Sequence, residues 1–236
     1  MNMGSKITEQ DNRPEAALSS SFSRAVYSQI EEIGWEHLVR LAEDLSFVTF
    51  RVIDKKERVH VLEILLDKSY PTFPPSVSAD VPYLFRLEWS TNSRLKDVVK
   101  QFRQHLETLQ QFWSTMEEID QSLWVLDAAQ MHRATSFRHI SIGDDCSIIL
   151  YIRANESRSL PECRFMGSGN KVNLIRDKWQ RNCKKWRKDE PFAENLANML
   201  EFELPGPPGV EKNEQQVECG ICYSQFLPIV KIGTRK

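Results

Sequence analysis

No apolar run in this 236-residue chain exceeds a few residues, far short of the roughly 20 that a membrane-spanning helix needs. A transmembrane segment is therefore not expected. The first 20 residues hold no apolar core of the length a secretory signal requires, and five cysteines form no even disulfide framework. A cytosolic or nuclear protein is expected. Charge of one sign is scarce as well: 31 Lys and Arg against 33 Asp and Glu leave a formal charge of -2, so no whole-molecule field draws the chain onto nucleic acid. A Gly-rich phosphate loop, an HExxH helix, a paired-carboxylate motif and a Ser/His/Asp order are missing. The histidines His37, His60, His105, His132 and His139 are scattered. Hydrolase and nucleotide-binding readings have no motif to rest on. Cys146, Cys163 and Cys183 lack a Cys or His neighbour at metal spacing and read as small packing residues.

What is present is a core-forming composition, 41% hydrophobic, with room for one or two domains. Its organising stretch is Arg94 to Leu126. Leu95, Val98, Val99, Phe102, Leu106, Leu109, Phe112, Trp113, Met116 and Ile119 recur at helical spacing, without Gly or Pro, while polar residues fill the other side. The pattern predicts one helix of about 36 Å at about 1.5 Å per residue. Leu123-Trp124-Val125-Leu126 is too apolar for a surface linker, so this helix reads as a spine pressed against a following unit.

Before the spine, residues 1–21 lack periodicity and read as a disordered tail. Phe22, Val26, Ile30, Ile33, Trp35, Leu38 and Leu41 approximate a helix, with Gly34 marking a break. Two alternating stretches, Leu45 to Ile53 and Arg58 to Leu66, flank a turn at residues 54–57 and predict a β-hairpin. A third strand is expected within Ser76 to Trp89, edged by Pro82. Between them Tyr70-Pro71-Thr72-Phe73-Pro74-Pro75 forms a loop stiffened by proline and anchored by its aromatics.

Beyond the spine, Phe137 to Ile142 and Cys146 to Arg153 alternate around Gly143-Asp144-Asp145, a hairpin signal, and Cys163 to Met166 adds a strand. Pro191 opens a helix carrying Phe192, Leu196, Met199 and Leu200 on one face, which Pro205 stops. The intervening stretch, residues 176–188, packs seven basic residues and two tryptophans into thirteen positions. Such a run can track a phosphate backbone while the indoles stack on bases, or it can be a solvated segment whose tryptophans cover the core. A nucleic-acid-binding scaffold with weak DNA contact is the alternative this leaves open. Finally, after a Pro/Gly linker at residues 206–217, Cys219-Gly220-Ile221-Cys222 presents two thiolates at zinc-knuckle spacing. Ser224 to Lys236 adds no further Cys or His, so the site opens at 218–236 and is incomplete.

A helix, an antiparallel meander, a Tyr-Pro-x-x-x-Pro loop and a long helix together resemble the RWD fold, the ubiquitin-conjugating-enzyme-like interaction domain. The expected class is α+β: two tandem RWD-like lobes, 22–122 and 123–205, share the long helix and precede a RING stub. Conjugating enzymes carry a nucleophilic Cys after the proline loop. No cysteine precedes Cys146 here, so the first lobe is not expected to catalyse.

More specific segments are Tyr27 to Trp35, Tyr70-Pro71, Phe112-Trp113 with Met116 to Asp120, Trp124-Val125-Leu126, Leu160 to Cys163 and Cys219 to Tyr223. These look like the Fanconi anaemia complementation group L family of RING-type ubiquitin ligases. The resemblance implies an N-terminal ubiquitin-like-fold domain, a double-RWD region and a zinc-binding RING that recruits a ubiquitin-conjugating enzyme. The chain matches the middle, with the RING breaking off after two ligands as in a truncated form. It further implies attachment of a single ubiquitin to the Fanconi ID heterodimer during DNA interstrand crosslink repair, association with Fanconi core complex subunits, and residence in nucleus and cytoplasm. The substrate patch it implies comprises Trp124, Leu126, Leu160, Met166 and Ile175, with Arg164 where an aromatic is expected. The metal ligands are Cys219 and Cys222. On this reading the chain binds substrate, holds no zinc stably and does not transfer ubiquitin alone.

Overall fold

A computed structural model describes residues 13–127 and 132–208, with side chains from Ser21 onward. The first helix, α1 (Arg13–Ile33), starts within the stretch expected as a tail, with Pro14 in its first turn, where a missing N–H costs nothing. Residues 1–12 lie outside the described residues. Val26 and Ile30 are buried on one side of α1. Gly34, at φ 108°, ends it by donating its N–H to the Ile30 carbonyl at 2.9 Å. The helical spacing of Leu38 and Leu41 is misleading. Those residues form β1 (Leu38–Leu41), which pairs with β2 (Phe47–Ile53) through a register shift between Leu38 and Arg40. A bulge lets two residues three apart contribute to one strand layer.

The expected hairpin of β2 and β3 (Val59–Leu65) sits at the centre of a four-stranded antiparallel sheet ordered β1-β2-β3-β4, with β4 (Ser76–Ala79) at its edge. Val48, Phe50, Val52, Leu62 and Ile64 bury one face against α1 and α2 (Leu95–Thr108). The proline-rich loop is a structural corner. Tyr70 is buried and its hydroxyl donates to the Gln29 side chain, while the Trp89 indole donates to the Pro71 carbonyl at 3.0 Å.

The spine is not one helix. It breaks at Leu109, between α2 and α3 (Gln110–Ser122). Leu109 has φ -91° and ψ -2°, and its N–H turns back to the Leu106 carbonyl at 3.2 Å. The Gln110 side-chain amide donates to that same carbonyl at 3.0 Å, replacing the main-chain bond that a continuous helix would make there. Apolar spacing continues unbroken through the break, so periodicity could not report it. The sequence places α3 with the first lobe, and the helix also reaches the second. Asp120 pairs with Arg138, Glu118 with Arg158, Thr115 with Ser157, and α3 packs on α5 (Phe192–Leu200).

What the break exposes is the joint between lobes. Asp54, in the β2–β3 turn, accepts from the Arg58 Nε at 2.9 Å and from Gln110 Nε2 at 3.0 Å, and lies 3.2 Å from His60 Nε2. Arg58 in turn donates to Gln110 at 2.6 Å and Glu117 at 2.9 Å, with its guanidinium 5.1 Å from the Trp113 ring centre. The Trp113 indole donates to the Arg133 carbonyl at 3.1 Å, and Asp80 accepts from the N–H groups of Arg133 and Ala134. The turn of lobe one is thereby tied to the first helix and the entry segment of lobe two.

The second lobe repeats the plan. A sheet ordered β5-β6-β7 comprises β5 (Phe137–Gly143), β6 (Cys146–Tyr151) and β7 (Glu162–Met166). Residues 124–126 extend it beyond β5 through a Val125–Ile140 bridge, with Leu126 N–H donating to the His139 carbonyl at 2.8 Å. Asp144 and Asp145 both adopt positive φ, 53° and 57°, making the tight turn between β5 and β6. Unforeseen by the sequence reading is α4 (Gly169–Asn182). Its inward stripe is Val172, Ile175, Trp179 and Asn182, too short and too polar for apolar periodicity to reveal.

Candidate functional site

Alternation and register together define the outward face of the second sheet. Val125 pairs with Ile140, which is fully buried, so Trp124 and Leu126 point the other way. Reading across the ladders, Ser141 opposes Ser147, which opposes Met166, and Trp124 lies beside Ser141. The next row is Leu126, His139, Ile149 and Arg164. A third places Phe137 against Tyr151 and Glu162. Trp124 is 39% exposed, Leu126 43%, Phe137 42% and Tyr151 44%, and the Phe137 and Tyr151 rings lie 6.1 Å apart. Two serines between Trp124 and Met166 leave a low floor between larger side chains. Such a face, apolar with a polar centre, suits protein docking.

The five residues of the implied patch divide here. Trp124, Leu126 and Met166 share the outward face. Leu160, in the loop before β7, and Ile175, on the inward stripe of α4, are half-buried against the core. Phe137, Ile149 and Tyr151 were not singled out from the sequence, although the alternation of β5 and β6 already placed them together.

At the centre of the face, His139 stands with Nδ1 3.0 Å from an Asp127 carboxylate oxygen and Nε2 2.9 Å from Ser147 Oγ. Those distances match a hydrolytic triad. Ser147, however, lies within β6, which is paired on both sides, so the ladder takes the backbone donors that an oxyanion hole would need. The trio orients the imidazole. The thiols of this sheet offer no nucleophile. Cys146 is buried, and burial pushes the Cys163 thiol up to about 12.

In the basic run, Trp179 is buried with its ring edge-on to Phe165 at 5.8 Å. Trp186 packs edge-on to Phe192 at 5.1 Å and donates to the Arg158 carbonyl at 2.9 Å. Both indoles pack on the core, and the cations stay at the surface, Lys178 and Lys185 near Glu201 and Arg187 near Glu190. Cys219 and Cys222 lie outside the described residues. Among the described residues no group of three His, Cys, Asp or Glu could hold a metal ion.

Comparison with known proteins follows the same two-lobe division. A family model described as FANCL UBC-like domain 2 matches residues 20–109, and one for FANCL UBC-like domain 3 matches residues 111–207. The two models meet at the break in the spine. The chain is 31% identical over 209 residues to the E3 ubiquitin-protein ligase FANCL of Mus musculus, covering 89% of this chain and 56% of that protein. It also superposes on the crystal structure of FANCL with a TM-score of 0.59 at 18% identity, covering 84% of this chain and 57% of that one, a likeness that carries the fold. The chain thus spans a little over half the length of the relatives it matches. With both lobes matched by models of successive FANCL domains and most of the chain aligned to the mouse ligase, this protein belongs to the FANCL family.

Proposed function

We propose that this chain provides the substrate-docking region of a RING-type ubiquitin-protein ligase, and that its substrate is the Fanconi ID heterodimer, monoubiquitinated in DNA interstrand crosslink repair. The observation that supports this reading is the outward face of the second sheet, where Trp124, Leu126 and Met166 present apolar surface on a rigid scaffold. A RING ligase forms no covalent intermediate of its own. It holds a charged conjugating enzyme beside a substrate lysine, so its rate gain comes from proximity and orientation, and a docking face fixes where the lysine stands. Cys219 and Cys222 would give two thiolates to a zinc site of four ligands, through which a RING engages the conjugating enzyme. Core complex subunits are the further partners, and the nucleus the compartment in which this repair takes place.

The affinity of the chain for the purified ID heterodimer tests the proposal. Trp124→Ala with Leu126→Ala is expected to weaken binding by at least tenfold while leaving the melting temperature unchanged, since exposed anchors at an interface commonly contribute about 1 to 4 kcal/mol. Unaltered affinity would reject this face as the docking site.

A further inference from the structure

β7 is the outermost strand of its sheet. Its residues pair with β6, and no backbone hydrogen bond runs from Glu162–Met166 to any other segment among the described residues. Alternate N–H and C=O groups of an edge strand point away from its neighbour. Beside this edge runs a groove of about 650 Å³ between β7 and α4. Phe165 and Trp179 form its apolar wall. Arg164 and Arg176 also line it, with Glu162 as the single carboxylate in the lining, and Arg176 donates to Asn173 at 3.3 Å.

A strand edge with open main-chain groups, lying along a helix, is the geometry by which domains capture extended peptides through β-addition. The groove charge narrows the occupant. We infer that β7 accepts an extended segment of a partner protein in which carboxylates alternate with apolar side chains. Five residues of β7 offer about 16 Å of edge at about 3.3 Å per residue. Because side chains alternate across a strand, one set of the added segment lies on the outward face beside Arg164 and the other on the helix side against Phe165 and Trp179. Carboxylates on the outward side meet Arg164, apolar groups rest on the aromatic pair, and a flanking carboxylate reaches Arg176. β7 also carries Met166 of the docking face, but its open edge lies across the sheet from Trp124 and Leu126, whose end is closed by the Trp124 N–H bond to the Pro205 carbonyl at 3.0 Å.

The test uses the full chain and a capped heptapeptide of alternating aspartate and valine, with a lysine-valine peptide as control. Amide exchange within residues 162–166 is expected to slow with the aspartate peptide and not with the lysine peptide. Arg164→Glu with Arg176→Glu is expected to weaken binding at least about tenfold, because two ion pairs turn into repulsions. Should that variant melt early, Arg164→Gln with Arg176→Gln is expected to lose severalfold. Trp124→Ala with Leu126→Ala should leave the peptide affinity unchanged, so this inference and the docking proposal fail separately. Absence of protection at millimolar peptide, equal binding of the lysine peptide, or unchanged affinity in both arginine variants would overturn it.

Discussion

Asp54 and Arg58 form a buried ion pair at the joint between the lobes. Burial opposes ionisation of Asp54, yet hydrogen bonds from Gln110, the Arg58 backbone, His60 and the Lys56 backbone outweigh it and hold the carboxyl well below the usual carboxylate range. Removing it leaves the Arg58 guanidinium without its one buried counter-charge among the described residues. Asp54→Ala is therefore expected to cost about 3 to 5 kcal/mol in chemical denaturation, and a loss under 1 kcal/mol would show that water or Glu117 replaces it. His60 adds a pH dependence. Desolvation lowers its pKa from the usual 6.5, aided by Arg133 and Arg58 and opposed by Asp54, so below about pH 6.5 the unfolded chain binds a proton that the folded chain refuses. Stability is complete above that pH and falls on acidification, and the Asp54 contribution follows below about pH 4. The melting temperature should drop between pH 7 and pH 5, and His60→Phe should flatten that slope. An equal slope in the variant would remove His60 from the account.

Among the elements, β2, β3, β5, β6, β7 and α5 were legible because their residues alternate or recur with the period of the structure they form. The misses have equally local causes. β1 was absorbed into a helix because its bulge leaves Leu38 and Leu41 three apart, and the spine break was invisible because a side-chain amide, Gln110, replaces one main-chain bond without disturbing the apolar stripe. In the second lobe, α4 hid behind its own charges. Its inward stripe includes Asn182, which donates to the Met199 carbonyl at 2.8 Å instead of packing as an apolar residue. The outward face was half legible. Strand alternation places Trp124 with Leu126, but which strand lies beside which is long-range information that one strand's sequence does not hold. The elements also yield a prediction. Trp179→Ala should destabilise the second lobe by about 3 to 5 kcal/mol, as large-to-small core changes do, whereas Lys184→Ala with Lys185→Ala should cost about 0.5 kcal/mol or less per site. Thermal melts of the two variants that coincide would mean the indole is not a core residue.

As a whole molecule, the chain sets two UBC-like lobes at a polar joint, each with helices on one sheet face and the other face turned outward. The two outward faces differ. In lobe one, Arg51 and Glu63 interrupt Ile53, Val59, Val61 and Leu65. In lobe two, Trp124, Phe137 and Tyr151 share the face with a histidine held by Asp127 and Ser147. The joint at Asp54, Arg58 and Trp113 fixes how these faces stand to one another, which is what a scaffold must do if it is to present a substrate lysine to an enzyme held elsewhere. The most direct measurement is oxidative side-chain footprinting of the chain with and without the ID heterodimer. Trp124, Tyr151 and Met166 are expected to lose reactivity on complex formation while exposed Trp35 and Phe73 in lobe one keep theirs. Protection of Trp35 and Phe73 with Trp124, Tyr151 and Met166 unchanged would contradict it.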